Sequence, residues 1–226
     1  MKKHIVVLTG AGMSAESGIA TFRGADGLWE GHRIEDVASP EGWAKDNEMV
    51  LDFYNIRRRQ IGEVKPNEGH FGLKALEKEF DVQIITQNID DLHERAGSSN
   101  ILHLHGEITK ARSSVDPSLI YDIGYKDINL GEKCAQDSQL RPHIVWFGEA
   151  VPLLEQAAFA TQNADIVIII GTSMQVYPAA SLINYVQPDT TVYYVDPNPA
   201  ISNNDDVTII AKSATKGLRD LIATLK

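Results

Sequence analysis

The stretch Ile5-Val-Val-Leu-Thr-Gly-Ala-Gly-Met-Ser-Ala15 decides the fold, because an apolar, β-branched run leads directly into a glycine turn. This order predicts a strand, a tight turn and a helix start, the arrangement that cradles phosphates in dinucleotide-binding proteins. Gly10 and Gly12 would let the backbone approach a pyrophosphate, and the small Ala15 would let the helix pack closely on the strand. Unpaired N–H groups at the helix start would face the anion. Taken alone, the pattern is equally typical of a strand-to-helix turn without a ligand.

Length, charge and cysteine content narrow the class of protein. The chain has 226 residues, enough for one large domain with an insert, and a net charge of −10. That charge argues against nonspecific nucleic-acid binding and is compatible with a cationic peptide partner. The single cysteine, Cys134, excludes an internal disulfide and indicates a reducing compartment. The apolar run before Thr9 is too short for a signal peptide or a membrane span, so we expect a cytoplasmic protein that contacts no membrane.

The rest of the chain alternates apolar strands with amphipathic helices, which predicts a doubly wound parallel sheet, an α/β Rossmann-like fold with a smaller inserted module. The unbroken apolar run 166–170 is typical of a central strand buried on both faces. Ser39-Pro40 and Asn67 are predicted helix N-caps. Further strands are expected at 82–86, 101–106, 143–147, 191–195 and 207–210, and a core stripe at Phe71, Leu73, Leu76 and Phe80. The predicted Rossmann-like part covers about 1–27, 64–106 and 141–226, with insertions at about 28–63 and 107–140.

Polar residues cluster where these strands end. The clusters are the glycine loop, 87–90, His105-Gly106, 171–173, and Asp196 with Asn198. Because open α/β sheets bind ligands at the carboxyl ends of their strands, the clusters outline a dinucleotide crevice. A period of two would place His103 and His105 on one face of a strand. A histidine in such a crevice can accept a proton near neutral pH, and the same pair could instead ligate a metal in a hydrolase.

Five motifs together resemble the sirtuin family of NAD-dependent protein deacylases, in that family's order and over almost the whole chain. They are Gly10-Ala-Gly-Met-Ser-Ala-Glu-Ser-Gly-Ile with Phe22-Arg23, Thr86-Gln-Asn-Ile-Asp90, Leu104-His105-Gly106, Arg141-Pro-His-Ile-Val-Trp-Phe-Gly-Glu149, and Gly171-Thr-Ser-Met-Gln-Val176. The resemblance implies that NAD is consumed. By this resemblance, the acyl oxygen of a modified lysine would attack the nicotinamide ribose and expel nicotinamide, and water would then yield free lysine and O-acyl-ADP-ribose.

The resemblance also implies roles for individual residues. His105 would be the general base, with Asn88 and Asp90 at the reacting ribose and the nicotinamide carboxamide. An extended acyl-lysine peptide would pair with the edges formed by Phe147, Gly148, Glu149 and Val176. The NAD contacts implied are Gly10, Ala11, Gly12, Ala15, Phe22, Arg23, Gln87, Asn88, Ile89, Asp90, Gly171, Thr172, Ser173, Asp196, Asn198 and Ala214. The segment 22–32 is expected to be more mobile without NAD than with it.

Tyr54 and Arg57 indicate which acyl group is removed. At i and i+3 of a helix they share one face, and a phenol with a guanidinium suits a carboxylate at the end of an acyl chain. Their spacing resembles that in the sirtuin branch that removes succinyl and malonyl groups. The alternative is a solvated helix face, since Arg58 and Arg59 adjoin them.

The sequence departs from the sirtuin pattern at two places. Ser113, Asp116, Cys134 and Asp137 stand where the family has two Cys-x-x-Cys pairs that bind structural zinc, so we expect no bound zinc and no metal site. Asp196 replaces a usual Asn near the adenine ribose, which predicts binding of NAD and repulsion of NADP. Besides a deacylase, an NAD-consuming or ADP-ribose-sensing module without peptide substrate stays open.

Overall fold

The computed structural model describes residues 2–21, 28–199 and 207–225. Its strands are β1 (His4–Thr9), β2 (Leu28–Trp29), β3 (His32–Arg33), β4 (Asp81–Thr86), β5 (Ile101–His103), β6 (Gly106–Ser113), β7 (Ile120–Asp122), β8 (Leu140–Ile144), β9 (Ile166–Ile170), β10 (Thr191–Val195) and β11 (Val207–Ile210). Its α-helices are α1 (Ala11–Ser14), α2 (Ile34–Val37), α3 (Pro40–Lys45), α4 (Asn47–Glu63), α5 (Glu68–Leu76), α6 (Leu92–Arg95), α7 (Leu154–Gln162) and α8 (Ala214–Leu225). Two 3-10 helices cover Ala15–Ser17 and Ala179–Tyr185.

The described strands form a six-stranded parallel sheet in the order β11-β10-β9-β1-β4-β5. Every residue of β9 is buried, as its unbroken apolar run predicted. Helices cover both faces of the sheet. The even-numbered β1 residues Val6 and Leu8 pack with α7, and the odd-numbered Ile5 and Val7 pack with α5 and α8. The predicted doubly wound α/β fold is therefore confirmed.

Helix starts follow the predicted capping residues. The Ser39 hydroxyl accepts a hydrogen bond from the Gly42 N–H at 2.9 Å, ahead of α3. Asn67 accepts from the first turn of α5, and His70 Nδ1 accepts from the Asn67 N–H at 3.2 Å, which completes a capping box. The predicted core stripe of α5 is wrong at Phe71, which is 46% exposed, because Leu73 three residues before Leu76 defines the buried face.

The strand predicted at 101–106 is wrong in its second half. β5 ends at His103, residues 104 and 105 form a turn, and β6 begins at Gly106 with φ +83°. A Cβ at Gly106 would lie 2.0 Å from the His143 carbonyl oxygen, so this close turn requires glycine. The chain then leaves the parallel sheet for a small antiparallel sheet.

The small sheet has the order β7-β6-β8, and its last strand extends past the end of the insert predicted at about 107–140. β8 is the strand expected at 143–147, shifted to 140–144 and paired with β6 instead of joining the parallel sheet. The proposed domain boundaries stay predictions. Within the described ranges, no helix is both long and apolar enough to cross a membrane.

Candidate active site

A cavity of about 290 Å³ lies where the carboxyl ends of β1, β4 and β9 meet α4 and the segment that follows β8. It brings together most of the predicted site. These residues are Gly10, Ala11, Gly12, Gln87, Asn88, Ile89, Asp90, His105, Gly171, Thr172, Ser173, Tyr54, Arg57, Phe147, Gly148, Glu149 and Val176. Residues that the sequence reasoning did not assign also line it, among them Ser14 and Glu30.

The glycines at one end of the cavity serve the contact between two loops. The Gly12 N–H donates to the Gly171 carbonyl at 2.7 Å, and a Cβ at Gly12 would lie 2.7 Å from Gly171 Cα. Gly10 and Met13 also donate their N–H groups to protein carbonyls, those of Ile170 and Gly10. The expected unpaired N–H groups are therefore absent at these three described positions. The glycines let the loops after β1 and β9 touch, which forms a continuous wall.

A buried hydrogen-bond network links α1 with the segment after β4. The Asn88 amide donates to the Gly10 carbonyl at 3.0 Å and to Ser14 Oγ at 3.2 Å. Ser14 Oγ donates to Asp90 Oδ2 at 2.9 Å. Burial raises the pKa of Asp90, and the hydrogen bonds from the Leu92 N–H and Ser14 oppose that shift. Ser14 thus fixes two of the three predicted catalytic residues, Asn88 and Asp90, and its place in the glycine motif was the only signal for it.

His105 has the tautomer that a general base needs. Its Nδ1 lies 3.1 Å from the Gln87 carbonyl oxygen. Since a carbonyl only accepts, Nδ1 carries the hydrogen and Nε2 keeps its lone pair. Burial lowers the pKa of His105, partly offset by this hydrogen bond, so the ring is neutral at pH 7. Gln87 is itself held by its amide, which donates to Thr172 Oγ1 at 3.0 Å.

His103 does not share this cavity. It lines a second cavity of about 310 Å³, and its Nε2 lies 2.7 Å from Glu94 Oε1. Burial alone would lower the pKa of His103, but the Glu94 carboxylate raises it overall. The expectation that His103 and His105 face the same way is wrong, because the turn at 104–105 separates them. Within the described residues, no group of three or more His, Cys, Asp or Glu side chains could hold a metal ion.

Tyr54 and Arg57 lie on the cavity side of α4, as their spacing predicted. Tyr54 is fully buried, and its hydroxyl accepts a hydrogen bond from Trp146 Nε1 at 3.0 Å. Burial raises the pKa of Tyr54 well above its ordinary value, so the phenol remains a donor. The Arg57 guanidinium lies over the Phe53 ring at 3.6 Å and donates to the Phe53 carbonyl at 2.9 Å. Among the described residues its buried Nε has no hydrogen-bond partner.

The other two arginines of this helix segment differ. Arg58 is fully buried, with Nε donating to the Ile108 carbonyl at 2.7 Å and Nη1 donating to Asn55. Arg59 is half-exposed and pairs with Asp127. Arg58 therefore ties α4 to β6, and only Arg59 belongs to a solvated face.

The segment after β8 is stabilised by hydrogen bonds to one of its own residues, Glu149. The Glu149 carboxylate accepts hydrogen bonds from Arg141 at 2.8 Å and Arg112 at 3.1 Å, and from the Trp146 N–H. The Phe147 N–H donates to the Ala38 carbonyl. Gly148 has φ +87° and is exposed. Glu149 thus fixes the segment, which leaves Gly148 and the Phe147 side chain, 45% exposed, on its open side.

Four predicted NAD contacts do not line the cavity in the structure: Ala15, Asp196, Asn198 and Ala214. Asp196 is buried and accepts a hydrogen bond from the Asn198 N–H at 2.8 Å, while Ala214, the first residue of α8, packs in the core. Phe22, Arg23 and most of the segment expected to be mobile, 22–32, lie outside the described residues.

The side chains at the four zinc-type positions do not fit a zinc site. Ser113 Oγ lies 2.8 Å from Ser138 Oγ, which also lies 3.0 Å from Cys134 Sγ. The Asp116 carboxylate accepts from Ser118 and Gln136, and Asp137 pairs with Lys133 in solvent. Hydrogen bonds therefore connect the positions that would carry zinc-binding thiolates, and the absence of zinc stays a prediction.

The fold and the cavity define a class of protein: an α/β protein of the dinucleotide-binding type, with a buried neutral histidine in its cavity. Comparison with known proteins agrees. The Sir2 family model matches residues 10–178. A protein of Helicobacter pylori (strain ATCC 700392 / 26695) named NAD-dependent protein deacylase is 57% identical over 224 residues, which cover 99% of this chain and 97% of that protein.

Solved structures show the same likeness. A Sir2 homologue in complex with NAD superposes with a TM-score of 0.88 and 38% identity, covering 99% of this chain and 90% of the other. A Sir2 mutant solved with a p53 peptide and NAD gives a TM-score of 0.81 and 28% identity, covering 99% and 93%. The resemblance to the sirtuins is thereby confirmed. The chain belongs to the Sir2 family, and it is an enzyme of that family.

Proposed function

We propose that this enzyme removes acyl groups from protein lysine with NAD as a consumed co-substrate, and that it accepts acidic acyl groups such as succinyl and malonyl besides acetyl. When bound, NAD supplies the ADP-ribosyl group to which the acyl group is transferred, and nicotinamide is the leaving group. The observation that carries the proposal is His105 Nε2, an unprotonated ring nitrogen in the cavity that also holds Asn88 and Asp90.

Different residues of the cavity would bind NAD and transfer the proton. The wall formed by Gly10, Gly12 and Gly171 has no side chains and would let the phosphate end of NAD lie close to the backbone. Asn88 and Asp90, fixed by Ser14, would orient the nicotinamide ribose and carboxamide. His105 would take a proton from a ribose hydroxyl, which makes that oxygen a nucleophile near neutral pH.

The acidic-acyl preference rests on Arg57. Its guanidinium is buried, faces the cavity and has an Nε without a partner among the described residues. It can therefore donate hydrogen bonds to a bound carboxylate. The Tyr54 hydroxyl, protonated and already accepting from Trp146, can donate to the same carboxylate. An acetyl group lacks this carboxylate and would use neither contact.

One assay tests the proposal. The purified enzyme is incubated with NAD and a peptide that carries succinyl-lysine, acetyl-lysine or unmodified lysine, and nicotinamide and O-acyl-ADP-ribose are measured. We expect nicotinamide release that depends on the acylated peptide. Release at the same rate without peptide would instead indicate an NAD-consuming module, and no release with any substrate would contradict both.

A further inference from the structure

A carboxylate of the chain itself reaches the proposed acyl-binding arginine. Glu30 lies between β2 and β3, and its Oε2 is 3.8 Å from Arg57 Nη2. Both residues line the active-site cavity. The Arg57 side chain is 10% exposed and that of Glu30 is 36% exposed. The pair therefore joins a buried cation to a carboxylate that still reaches solvent.

Aromatic contacts hold the turn that carries this carboxylate. On either side of Glu30, the rings of Trp29 and His32 contact Phe53 edge-on, with centroids 4.9 Å and 5.3 Å away. The same Phe53 ring carries the Arg57 guanidinium at 3.6 Å. Glu30 has φ +50°, a conformation that few residues other than glycine adopt. One aromatic ring thus fixes both the turn that carries the carboxylate and the guanidinium that it meets.

The net charge around Arg57 depends on which acyl group is bound. A buried guanidinium without a counter-charge is costly, and Glu30 supplies that charge when the acyl group is neutral. An acyl chain that ends in a carboxylate brings a second negative charge to the same guanidinium. Two carboxylates near one cation repel each other, so Glu30 opposes the binding of an acidic acyl group unless it turns toward solvent.

We propose, on the basis of the proposed function, that Glu30 is a built-in counter-ion of Arg57 that sets the selectivity of the enzyme between neutral and acidic acyl groups. It stabilises the empty or acetyl-filled pocket, and it weakens the binding of succinyl-lysine. It therefore acts on specificity and takes no part in the transfer of the acyl group.

The test compares Glu30→Gln with the wild type on succinyl-lysine and acetyl-lysine peptides at saturating NAD. The substitution keeps the size of the side chain and removes its charge. We expect kcat/KM for the succinyl peptide to rise about twofold to fivefold through a lower KM, the size of a partly exposed ion pair. We expect kcat/KM for the acetyl peptide to stay the same or fall. Glu30→Asn removes the same charge and suits the positive φ, so it serves if Glu30→Gln does not fold.

The matched control is Glu35→Gln. Glu35 belongs to α2, its side chain is 73% exposed, and it pairs with Arg33 at 3.4 Å. Its loss changes the net charge equally without touching Arg57, so the ratio of the two activities should stay at the wild-type value.

Each failure has a separate meaning. Wild-type enzyme that does not act on succinyl-lysine would contradict the acidic-acyl part of the proposed function. Wild-type enzyme that does act on it, combined with an unchanged succinyl-to-acetyl ratio in Glu30→Gln, would overturn the role of Glu30 alone. An equal rise in that ratio in Glu35→Gln would also overturn it, because the effect would then follow net charge.

Discussion

Replacing Arg57 by methionine separates the acyl-binding role of this residue from a structural one. Methionine keeps an unbranched apolar stem against Phe53 and removes the guanidinium. A hydrogen bond to a charged group contributes about 1.5–3 kcal/mol, which corresponds to about 12-fold to 150-fold in rate. Because Glu30 already lies 3.8 Å from the guanidinium, the net gain from an acidic acyl group is smaller. We therefore expect kcat/KM for a succinyl-lysine peptide to fall about 10-fold to 50-fold.

The acetyl-lysine peptide provides the internal comparison. Acetyl has no carboxylate for Arg57 to bind, so we expect its kcat/KM to change by less than about threefold. Arg59→Met is the matched control on the same helix, since the Arg59 side chain is 53% exposed and pairs with Asp127 outside the cavity. Nicotinamide release measured against peptide concentration gives kcat/KM for each enzyme on each peptide. Equal losses on the two peptides, with a normal circular dichroism spectrum, would refute the acyl-binding role.

Three other predictions follow from the site, the core and the insert. His105→Asn should lower kcat by about 10²-fold to 10⁴-fold while NAD still binds by calorimetry, and retained activity in this variant would contradict the base assignment. Because burial lowers the pKa of His105 below its ordinary value of 6.5, wild-type kcat/KM should fall with acid only below pH 6.5. Burial lowers the pKa of His70 to about 4, so the unfolded chain binds this proton first, and the free energy of unfolding should fall by about 3 kcal/mol from pH 6.5 toward pH 4. His70→Gln, which can keep the capping box at Asn67, should lessen that loss in urea titrations, and an unchanged pH dependence would contradict the role of His70. Chelator should change neither the melting temperature nor the activity, and one zinc per chain in protein dialysed against chelator would contradict the zinc-free insert built around Cys134 and Ser138.

The parallel sheet could be predicted from the sequence because its signals are local. The run at Ile166–Ile170 has no polar residue, and such a strand is stable only with both faces covered. The capping residues Ser39 and Asn67 act on N–H groups two or three positions away, so their effect is also written in adjacent residues. The small sheet lacks such signals. Its strand β7 has only three residues, and β8 pairs with β6 only after the chain turns at Gly106.

The candidate site could be predicted in its parts but not in its connections. The sequence placed Asn88 and Asp90 at the end of a strand, but the hydroxyl that joins them comes from Ser14, 76 positions before Asp90. Glu30 was not predicted as a site residue for the same reason. Its meeting with Arg57 depends on how the turn between β2 and β3 packs on α4, which neither residue's local pattern reveals.

The two histidines His103 and His105 show why the fold had to be known before chemistry was assigned. Identical residues two positions apart would share one face and one role on an unbroken strand. The turn at 104–105 instead gives them opposite electrostatic surroundings. The Glu94 carboxylate raises the pKa of His103 and favours its protonated form, whereas burial lowers the pKa of His105 and favours its neutral form. A general base at pH 7 must be unprotonated, so only His105 is suited to that role. The turn requires glycine at 106, and the proposed role of His105 therefore depends on Gly106 as well as on the imidazole.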